Sequence, residues 1–271
     1  GRKSLAVAFA ERREPAAGGA DEMLFLSEYL QAQGLHAVVV DPRDLEVRDG
    51  ELVCKDGVVD LVYRDFTLSE VISIEKHGGK VDAIKHAFAH NQVVSGLTGE
   101  FDHKSLLELL SNPEFDRYFT PSQRRTFHAF IPWTRLVRER KTGDPQGADV
   151  DLPAYVRAHR EALVLKPNRA YGGQDVTIGT DVTQAAWEAA VATAMAQPDA
   201  WVAQEFVVLP KVAFVEGASQ EPSEEFVTVG FIATPEGIAF VGRSFSKKVV
   251  NISRGGSLVP IFQLRETAQT R

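Results

Sequence analysis

The first hundred residues alternate short apolar runs with a helical pattern, and this alternation restricts the possible folds most strongly. Ser4 to Ala10 is apolar, and a loop containing Gly and Pro follows it through Gly19. The next segment has helical spacing, with apolar residues at Met23, Leu24, Leu26, Tyr29 and Leu30. After Gly34, which predicts a helix end, Ala37 to Val40 is a second buried strand pattern. Strands that alternate with helices indicate a parallel sheet.

The same stretch continues with a predicted hairpin and a further strand. Leu45 to Val53 carries the turn residues Arg48, Asp49 and Gly50, and Val58 to Arg64 is a strand pattern. These patterns predict a Rossmann-like α/β unit over about the first hundred residues. No G-x-G-x-x-G follows the first strand, which argues against dinucleotide binding there.

The second half of the chain has a different, β-rich pattern. Phe101 to Leu110 is a predicted helix that ends at Asn112-Pro113, and Gly143 to Pro153 has the composition of a surface loop or linker. One further helix is predicted at Gln184 to Met195. Five strands are predicted: Leu163 to Lys166, Val176 to Gly179, Trp201 to Leu209, Phe226 to Ala233 and Ile238 to Arg243, the last two joined by a turn at Pro235-Glu236-Gly237.

Composition excludes several classes of function. The 271 residues carry a formal net charge of −7, which argues against nucleic-acid and membrane-surface binding because both depend on clustered Lys and Arg. The single cysteine, Cys54, permits no intrachain disulfide and indicates a reducing cytoplasm. No apolar run approaches the roughly 20 residues of a membrane span. The chain starts at Gly1 without a methionine, which is compatible with a fragment of a longer protein.

A Gly-containing loop between two predicted strands carries the main chemical signal. It runs from Lys166 to Val176 and contains Gly172 and Gly173. Glycines let backbone amides approach a phosphate closely, and a lysine at the end of the preceding strand adds a positive charge. A paired glycine alone is equally compatible with an ordinary tight turn.

The order strand, lysine, Gly loop, strand, helix and then Trp201 to Val207 resembles the ATP-grasp superfamily. The resemblance implies that the Gly loop covers a triphosphate, that the strand lysine contacts it, and that a Gln/Glu-bearing strand holds the adenine. A second phosphate lysine is implied at Lys104, after Asp102-His103, although an exposed helix lysine is the alternative. The implied nucleotide-binding residues are Lys104, Lys166, Tyr171, Gly172, Gly173, Gln204, Glu205, Phe206 and Val207.

Within that superfamily the chain is most similar to the circularly permuted proteins related to glutathionylspermidine synthetase and eukaryotic-type glutathione synthetase. This resemblance implies a Rossmann-like pre-ATP-grasp α/β domain over residues 1–94 and an ATP-grasp region over residues 95–271, which is compatible with truncation at the C-terminus. The short phrases that carry it are Val62-Tyr63-Arg64, Ile131-Pro132-Trp133-Thr134-Arg135, Leu165-Lys166-Pro167-Asn168 with Tyr171-Gly172-Gly173, and Asn251-Ile252-Ser253-Arg254-Gly255-Gly256.

The reaction that the resemblance implies is ATP-dependent ligation through an acylphosphate. ATP phosphorylates a small-molecule or peptide carboxylate, and an amine or thiol then attacks the acylphosphate. Such catalysis requires lysines, arginines, backbone amides and Mg²⁺ rather than an enzyme nucleophile. The implied catalytic residues are Arg243 and Lys104. The implied magnesium ligand is Asn251. Gly255 and Gly256 are implied to lie against the acyl group.

One departure from the family leaves an alternative open. Magnesium takes one or two carboxylates, yet Arg169 and Ala170 occupy the loop, and Lys247 to Val250 precede Asn251. Asp175, Glu205 or Glu236 would have to substitute. A non-catalytic ATP-grasp protein that binds a nucleotide or a protein partner is therefore the alternative, and a binding module that uses no nucleotide is a third hypothesis.

Three further residues are candidates for contacting substrate. Arg64 ends a predicted strand, where α/β proteins bind ligands, and could hold a carboxylate or pair with Asp65. Trp133 with Arg135 could line a substrate cleft, or Trp133 could simply pack. His86 and His90 share a helix face, but no third ligand supports a zinc site. The sequence does not indicate the oligomeric state.

Overall fold

A computed structural model describes residues 5–12, 22–94, 96, 103–170, 172–215, 222–250 and 255–262. The implied site residues Tyr171 and Asn251 lie outside these ranges. The chain divides into two compact units, the first unit at residues 1–100 and the second unit at residues 101–271. The protein is a mixed α/β protein that has one parallel sheet and several antiparallel ones, as the sequence predicted.

The first unit is built around a parallel sheet with the strand order β2-β1-β6-β7. A second, three-stranded antiparallel sheet, β3-β4-β5, follows the predicted hairpin. The elements of the unit are β1 (Ala6–Glu11), α1 (Glu22–Ala32), β2 (His36–Val40), β3 (Glu46–Arg48), β4 (Glu51–Cys54), β5 (Gly57–Val58), β6 (Leu61–Asp65), α2 (Leu68–Lys76), α3 (Asp82–Ala89) and β7 (Val93–Val94).

The central strand β1 is apolar from Ala6 to Ala10 because both of its faces are covered there. Ala8 and Ala10 pack into one buried cluster, whereas Val7 and Phe9 pack into another on the opposite face. Strands that are buried on both faces read as continuous apolar runs. This explains why the run predicted from Ser4 to Ala10 had no polar alternation.

The strand predicted from Val58 to Arg64 is wrong in one respect, because the chain leaves one sheet and enters another within it. Val58 ends β5, and β6 begins at Leu61. At the junction, the Asp60 carboxylate accepts a hydrogen bond from the Ala6 N–H at 3.0 Å, and the Asp60 N–H donates to the Ala6 carbonyl at 2.9 Å. Asp60 therefore separates β5 from β6 and fixes the start of β6 against β1.

The second unit contains two four-stranded antiparallel sheets. Their strand orders are β12-β11-β13-β8 and β14-β15-β16-β17. The elements are α4 (Leu106–Ser111), α5 (Pro121–Phe130), β8 (Thr134–Leu136), β9 (Lys141–Gly143), β10 (Asp149–Asp151), α6 (Leu152–Ala158), β11 (Leu163–Pro167), β12 (Thr177–Ile178), α7 (Gln184–Met195), β13 (Trp201–Glu205), β14 (Lys211–Phe214), β15 (Ser223–Thr234), β16 (Gly237–Phe245) and β17 (Ser257–Val259).

The sheet β12-β11-β13-β8 has two different faces. Leu163, Leu165 and Ala203 lie on the core face and pack with Trp187 and Val191 of α7. Side chains alternate along a strand, so Val164, Lys166 and Gln204 lie on the opposite face. The candidate site is on this second face.

The second unit differs from the sequence predictions at three places beyond small shifts of strand ends. Gly143 to Pro153 is not a loop or linker: β9 and β10 form a hairpin there, and Asp151 caps the N-terminus of α6 through the Ala154 N–H. The strand predicted to reach Leu209 ends at Glu205, after which the Phe206 N–H donates to the Ala162 carbonyl. The helix α4 begins at Leu106, later than predicted.

None of the described helices combines the length and the apolar composition that crossing a bilayer requires.

Candidate functional site

A cavity of about 320 Å³ lies against the second face of the sheet β12-β11-β13-β8. Residues from the sheet, from the Gly loop and from the segment after β16 form its walls. The lining combines apolar side chains with three lysines, Lys104, Lys166 and Lys248. The lining residues are Lys104, Val164, Lys166, Gly173, Val176, Ile178, Gln204, Glu205, Phe206, Val207, Leu209, Lys248, Val249 and Val250.

Lys166 is held in this cavity by a chain of side-chain hydrogen bonds. Its Nζ donates a hydrogen bond to Oε1 of Gln204 at 2.6 Å, and Nε2 of Gln204 in turn donates to Oγ1 of Thr134 at 2.9 Å. Burial lowers the pKa of Lys166, and the like charge of Lys104 lowers the pKa further. A bound anion would oppose both effects, so the cavity favours a negatively charged ligand beside Lys166.

Lys104 reaches the same cavity from the turn that precedes α4. Its Nζ donates to the carbonyl of Ala170 at 2.7 Å, within the Gly loop. Its backbone N–H donates to the carbonyl of Asn168 at 3.1 Å. The fold therefore brings together the two lysines that the sequence resemblance paired as phosphate ligands.

The Gly loop needs glycine for its conformation. Gly172 and Gly173 have φ angles of 64° and 72°, in the left-handed region where a side chain is strained. Asp175 shares this region with a φ of 53°, and Gly173 lines the cavity. Gly173 therefore brings main chain without a side chain to the wall of the cavity that Lys166 also lines.

The strand that the resemblance assigned to adenine, Glu205 to Val207, forms another wall. The Glu205 N–H donates to the Trp133 carbonyl at 2.8 Å, and the Phe206 N–H donates to the Ala162 carbonyl at 2.8 Å. These two amides are engaged within the protein. The side of the cavity is completed by Lys248, whose Nζ lies 5.5 Å from the Phe206 ring centre and pairs with Asp181.

Other predicted site residues lie elsewhere. Arg243 is exposed on β16, where it pairs with Thr228 and Leu258, and it is not among the described residues that line the cavity. Gly255 has a φ of 92° and lies with Gly256 just before β17, also apart from that lining. Arg64 lies in the first unit, where its Nη1 donates to the Phe66 carbonyl at 2.7 Å.

Trp133 and Arg135 line a different cavity, of about 360 Å³, which shares Glu205 with the first. Only 1% of Arg135 is exposed, and burial lowers its pKa to about 10. Its guanidinium donates to Thr142 Oγ1 at 2.8 Å and to the Thr134 carbonyl at 2.8 Å. Trp133 donates from Nε1 to the Gly143 carbonyl at 2.9 Å. These contacts join β8 to β9.

The carboxylates that could hold magnesium are few. Within the described ranges there is no group of three or more His, Cys, Asp or Glu side chains that could hold a metal ion. Among the described lining residues, Glu205 is the one carboxylate, whereas Asp175 is exposed in the loop and Glu236 is exposed at the β15–β16 turn. One carboxylate meets the lower limit for Mg²⁺ bound together with phosphates.

The rings of His86 and His90 stack on each other, with their centroids 3.9 Å apart.

Sequence reasoning missed Asn168 as a site residue. It follows Lys166 by two positions, is 6% exposed, and accepts hydrogen bonds from both Lys104 and Ser105. The Lys-Pro-Asn phrase was part of the family resemblance, but nothing in the sequence indicated what the asparagine contacts. Its role depends on a tertiary contact.

The chain is similar in structure to several solved proteins over most of its length. A RimK-domain protein from Sphaerobacter thermophilus is 17% identical, with 89% of this chain and 92% of that chain covered and a TM-score of 0.38. D-alanyl-alanine synthetase A from Vibrio cholerae is 10% identical, with 90% and 67% covered and a TM-score of 0.40. The ligase PsnB, in complex with a minimal precursor, is 12% identical, with 89% and 77% covered and a TM-score of 0.37.

The first and the third of these structures are described as ATP-grasp proteins. This is the superfamily that the sequence resemblance predicted; the circular permutation stays a prediction. No family model and no curated protein matches the chain. Because the identities and TM-scores are low, we base the functional proposal on this chain's own residues.

Proposed function

We propose that the chain is an ATP-dependent ligase that binds ATP in the cavity lined by Lys104 and Lys166. The observation that carries this proposal is the convergence of two lysines, from separate segments, on a largely apolar cavity beside a Gly-Gly loop. Adenine would lie against the apolar wall formed by residues such as Val164, Ile178 and Leu209. The phosphates would lie between the loop and the lysines.

The electrostatics of the lysines favour an anionic ligand. The free cavity holds the Lys166 ammonium in a buried place beside a like charge, which is the origin of its lowered pKa. Phosphate oxygens would pair with both ammonium groups and replace the water that burial removed. Charge-assisted hydrogen bonds of this kind are about twice as strong as neutral ones.

The proposed reaction joins a small-molecule or peptide carboxylate to an amine or thiol. A carboxylate oxygen attacks the γ-phosphorus, and ADP leaves; the amine or thiol then attacks the acyl carbon, and phosphate leaves with the bonding electrons. Lys104 and Lys166 would neutralise the charge that develops on the transferred phosphoryl group. Bound Mg²⁺ would neutralise further phosphate charge. Glu205, the one carboxylate among the described lining residues, would hold it only by turning from the face of Leu163, its partner in the β11–β13 register, toward Lys166.

Several assignments from the sequence resemblance stay within this proposal. Residues 1–94 would be the pre-ATP-grasp domain and residues 95–271 the nucleotide-binding region. Asn251 would assist at the metal, and Arg243 would need to approach the reacting groups in a nucleotide-bound conformation. A cytoplasmic location, where ATP is abundant, completes the proposal.

A second candidate function is nucleotide binding without ligation. It is favoured by the supply of carboxylates: Glu205 is the one carboxylate among the described lining residues, and its register partner Leu163 places it on the core face of the sheet, opposite to Lys166. In this case ATP would stabilise a conformation that a protein partner recognises. Release of ADP and phosphate separates the two candidates.

The first test is ATP binding by calorimetry, with Mg²⁺, to the wild type and to Lys104→Met and Lys166→Met. We expect each substitution to weaken binding by about tenfold or more, because each removes a charge-assisted contact. Lys141→Met is the matched control: this lysine is exposed on β9 and is not among the described lining residues.

No binding by the wild type would exclude the proposed site, and so would equal weakening by all three variants. If binding is confirmed, acid and amine pairs are screened for ADP release. Turnover that depends on both substrates supports the ligase. Binding with no turnover across the screen favours the second candidate.

A further inference from the structure

Asn168 anchors the turn that carries Lys104 through two successive backbone amides. The Lys104 N–H donates to the Asn168 main-chain carbonyl at 3.1 Å. The next N–H, that of Ser105, donates to Oδ1 of the Asn168 side chain at 2.9 Å. A two-point attachment fixes the orientation of a turn as well as its position, which a single hydrogen bond does not.

Asn168 is itself held on its other side. Its N–H donates to the Ala200 carbonyl at 2.7 Å, and Nδ2 donates to the Asp199 carbonyl at 3.1 Å. With 6% of its surface exposed, the residue is enclosed between the end of β11 and the turn before β13. The side-chain amide therefore uses both its acceptor and its donor to join two segments that are distant in sequence.

The position of Asn168 relative to the lysines gives this anchor a functional meaning. It lies two residues after Lys166, so one short segment fixes the backbone of both cations. Lysine side chains are long and flexible, and the Lys104 charge disfavours the charged form of Lys166. Lys104 Nζ also donates to the Ala170 carbonyl. Once the turn is loosened, repulsion between the like charges of Lys104 and Lys166 would oppose that contact and favour a Lys104 side chain turned toward water.

We propose that Asn168 is a positioning residue that holds Lys104 at the phosphate end of the cavity. The proposal rests on the proposed function, because it assumes that the two lysines bind a phosphate chain. Asn168 acts through Lys104 and needs no contact with the nucleotide. Its effect should therefore disappear when Lys104 is removed, and it should not extend to a ligand without phosphates.

The test is a double-mutant cycle in the full chain with Lys104→Met, Asn168→Ala and the double variant. Affinities for ATP and for adenosine are measured by calorimetry. We expect Asn168→Ala to weaken ATP binding by about five- to tenfold, because it removes the side-chain hydrogen bonds to Ser105 and Asp199 and loosens the turn that carries Lys104. Adenosine affinity should stay within about twofold, and the double variant should bind ATP no more than about twofold worse than Lys104→Met.

A merely structural role for Asn168 predicts different results. The proposal would be overturned if the two single substitutions weaken ATP affinity by factors that multiply in the double variant. It would also be overturned if Asn168→Ala weakens adenosine affinity as much as ATP affinity. Asn112→Ala is the matched control: Asn112 is also a buried asparagine of the second unit, and it caps the turn at Pro113 through the Glu114 N–H. It should lower stability without changing either affinity.

If Asn168→Ala does not fold, Asn168→Ser takes its place in the cycle. The serine hydroxyl is one bond shorter than the amide oxygen and loses the Ser105 contact, but it keeps a polar group in the site. Failure of the proposed function is recognised separately. In that case the wild type binds neither ATP nor adenosine. If only this inference fails, the wild type still binds ATP, but the effects of the Asn168 and Lys104 substitutions are independent of each other.

Discussion

Lys166 illustrates at the residue scale how a binding site is built at the expense of stability. In the absence of ligand, burial and the Lys104 charge disfavour its ammonium form. Lysines are rarely buried, and a lowered pKa means that the folded state holds the proton less tightly than the unfolded chain. The residue is therefore better explained by a ligand than by packing.

This leads to a prediction about pH. Because the folded pKa of Lys166 is lowered, the unfolded state binds more protons between that pKa and the ordinary lysine value, and stability rises with pH in this window. Below the lowered pKa both states are protonated, and the ammonium only disfavours folding. We expect the melting temperature of the wild type relative to Lys166→Met to rise from pH 7 to about pH 10.

Saturating ATP provides the control for this measurement, because bound phosphates would keep Lys166 protonated. With saturating ATP, the pH dependence that Lys166 adds to the stability of the protein should vanish. The midpoint of chemical denaturation of the wild type, measured over the same pH range, reports this. The prediction is contradicted if, without ATP, the difference in melting temperature between the wild type and Lys166→Met stays constant with pH. Lys166 would then not titrate as its surroundings indicate.

The sequence indicated single candidate residues where the backbone or a local motif defines them, and their role in binding stays a prediction. Lys166 and Gly173 were identified because a lysine at a strand end and a paired glycine are visible in one dimension. Asn168 and Arg135 were not understood, since their roles depend on partners distant in sequence. The Arg135 guanidinium is fully enclosed by hydroxyl and carbonyl oxygens of β8 and β9, which no spacing of residues indicates.

At the scale of elements, the end of β12 depends on a close approach between two 3₁₀ turns, Arg160–Ala162 and Gly179–Asp181. A Cβ on Gly179 would lie 1.7 Å from the carbonyl oxygen of Arg160 and 2.9 Å from that of Leu163. These atoms belong to the main chain and cannot rotate away. The approach sets the place of Ile178, which lines the cavity.

We expect Gly179→Ala to lower the free energy of unfolding by about 2–3 kcal/mol, because the two turns must separate. Urea denaturation followed by circular dichroism measures the change. Gly143→Ala is the matched control, since its nearest neighbour atom would be 3.9 Å away, and it should change stability by less than about 0.5 kcal/mol. Equal losses in the two variants would mean that the contact at Gly179 relaxes easily.

Elements were predicted reliably where their apolar pattern was long. α7 was predicted at its observed boundaries because an Ala-rich helical pattern extends over its whole length. The hairpin of β9 and β10 was missed because its strands have three residues each and are largely polar. The helix α5 was also missed: a capping box of Thr120 and Gln123 with Pro121 defines its start, while it buries no residue.

At the scale of the whole molecule, the two units have separate apolar cores. The clusters of buried residues in the first unit include Val62 and Phe9, whereas the cluster in the second unit is centred on Trp187 and Leu165. Separate cores are the mark of segments that can fold as domains. The described residues that line the candidate cavity all belong to the second unit.

We therefore expect residues 101–271, expressed alone, to unfold cooperatively and to bind ATP with an affinity within about threefold of that of the full chain. Calorimetry on both proteins measures this, and Lys166→Met in the shorter protein is the control for binding at the proposed cavity. If the shorter protein folds but does not bind, residues 1–100 must contribute to the nucleotide site. If it binds as expected, the first unit is left available for the substrates, and substitutions at Arg64 should then change turnover without changing ATP affinity.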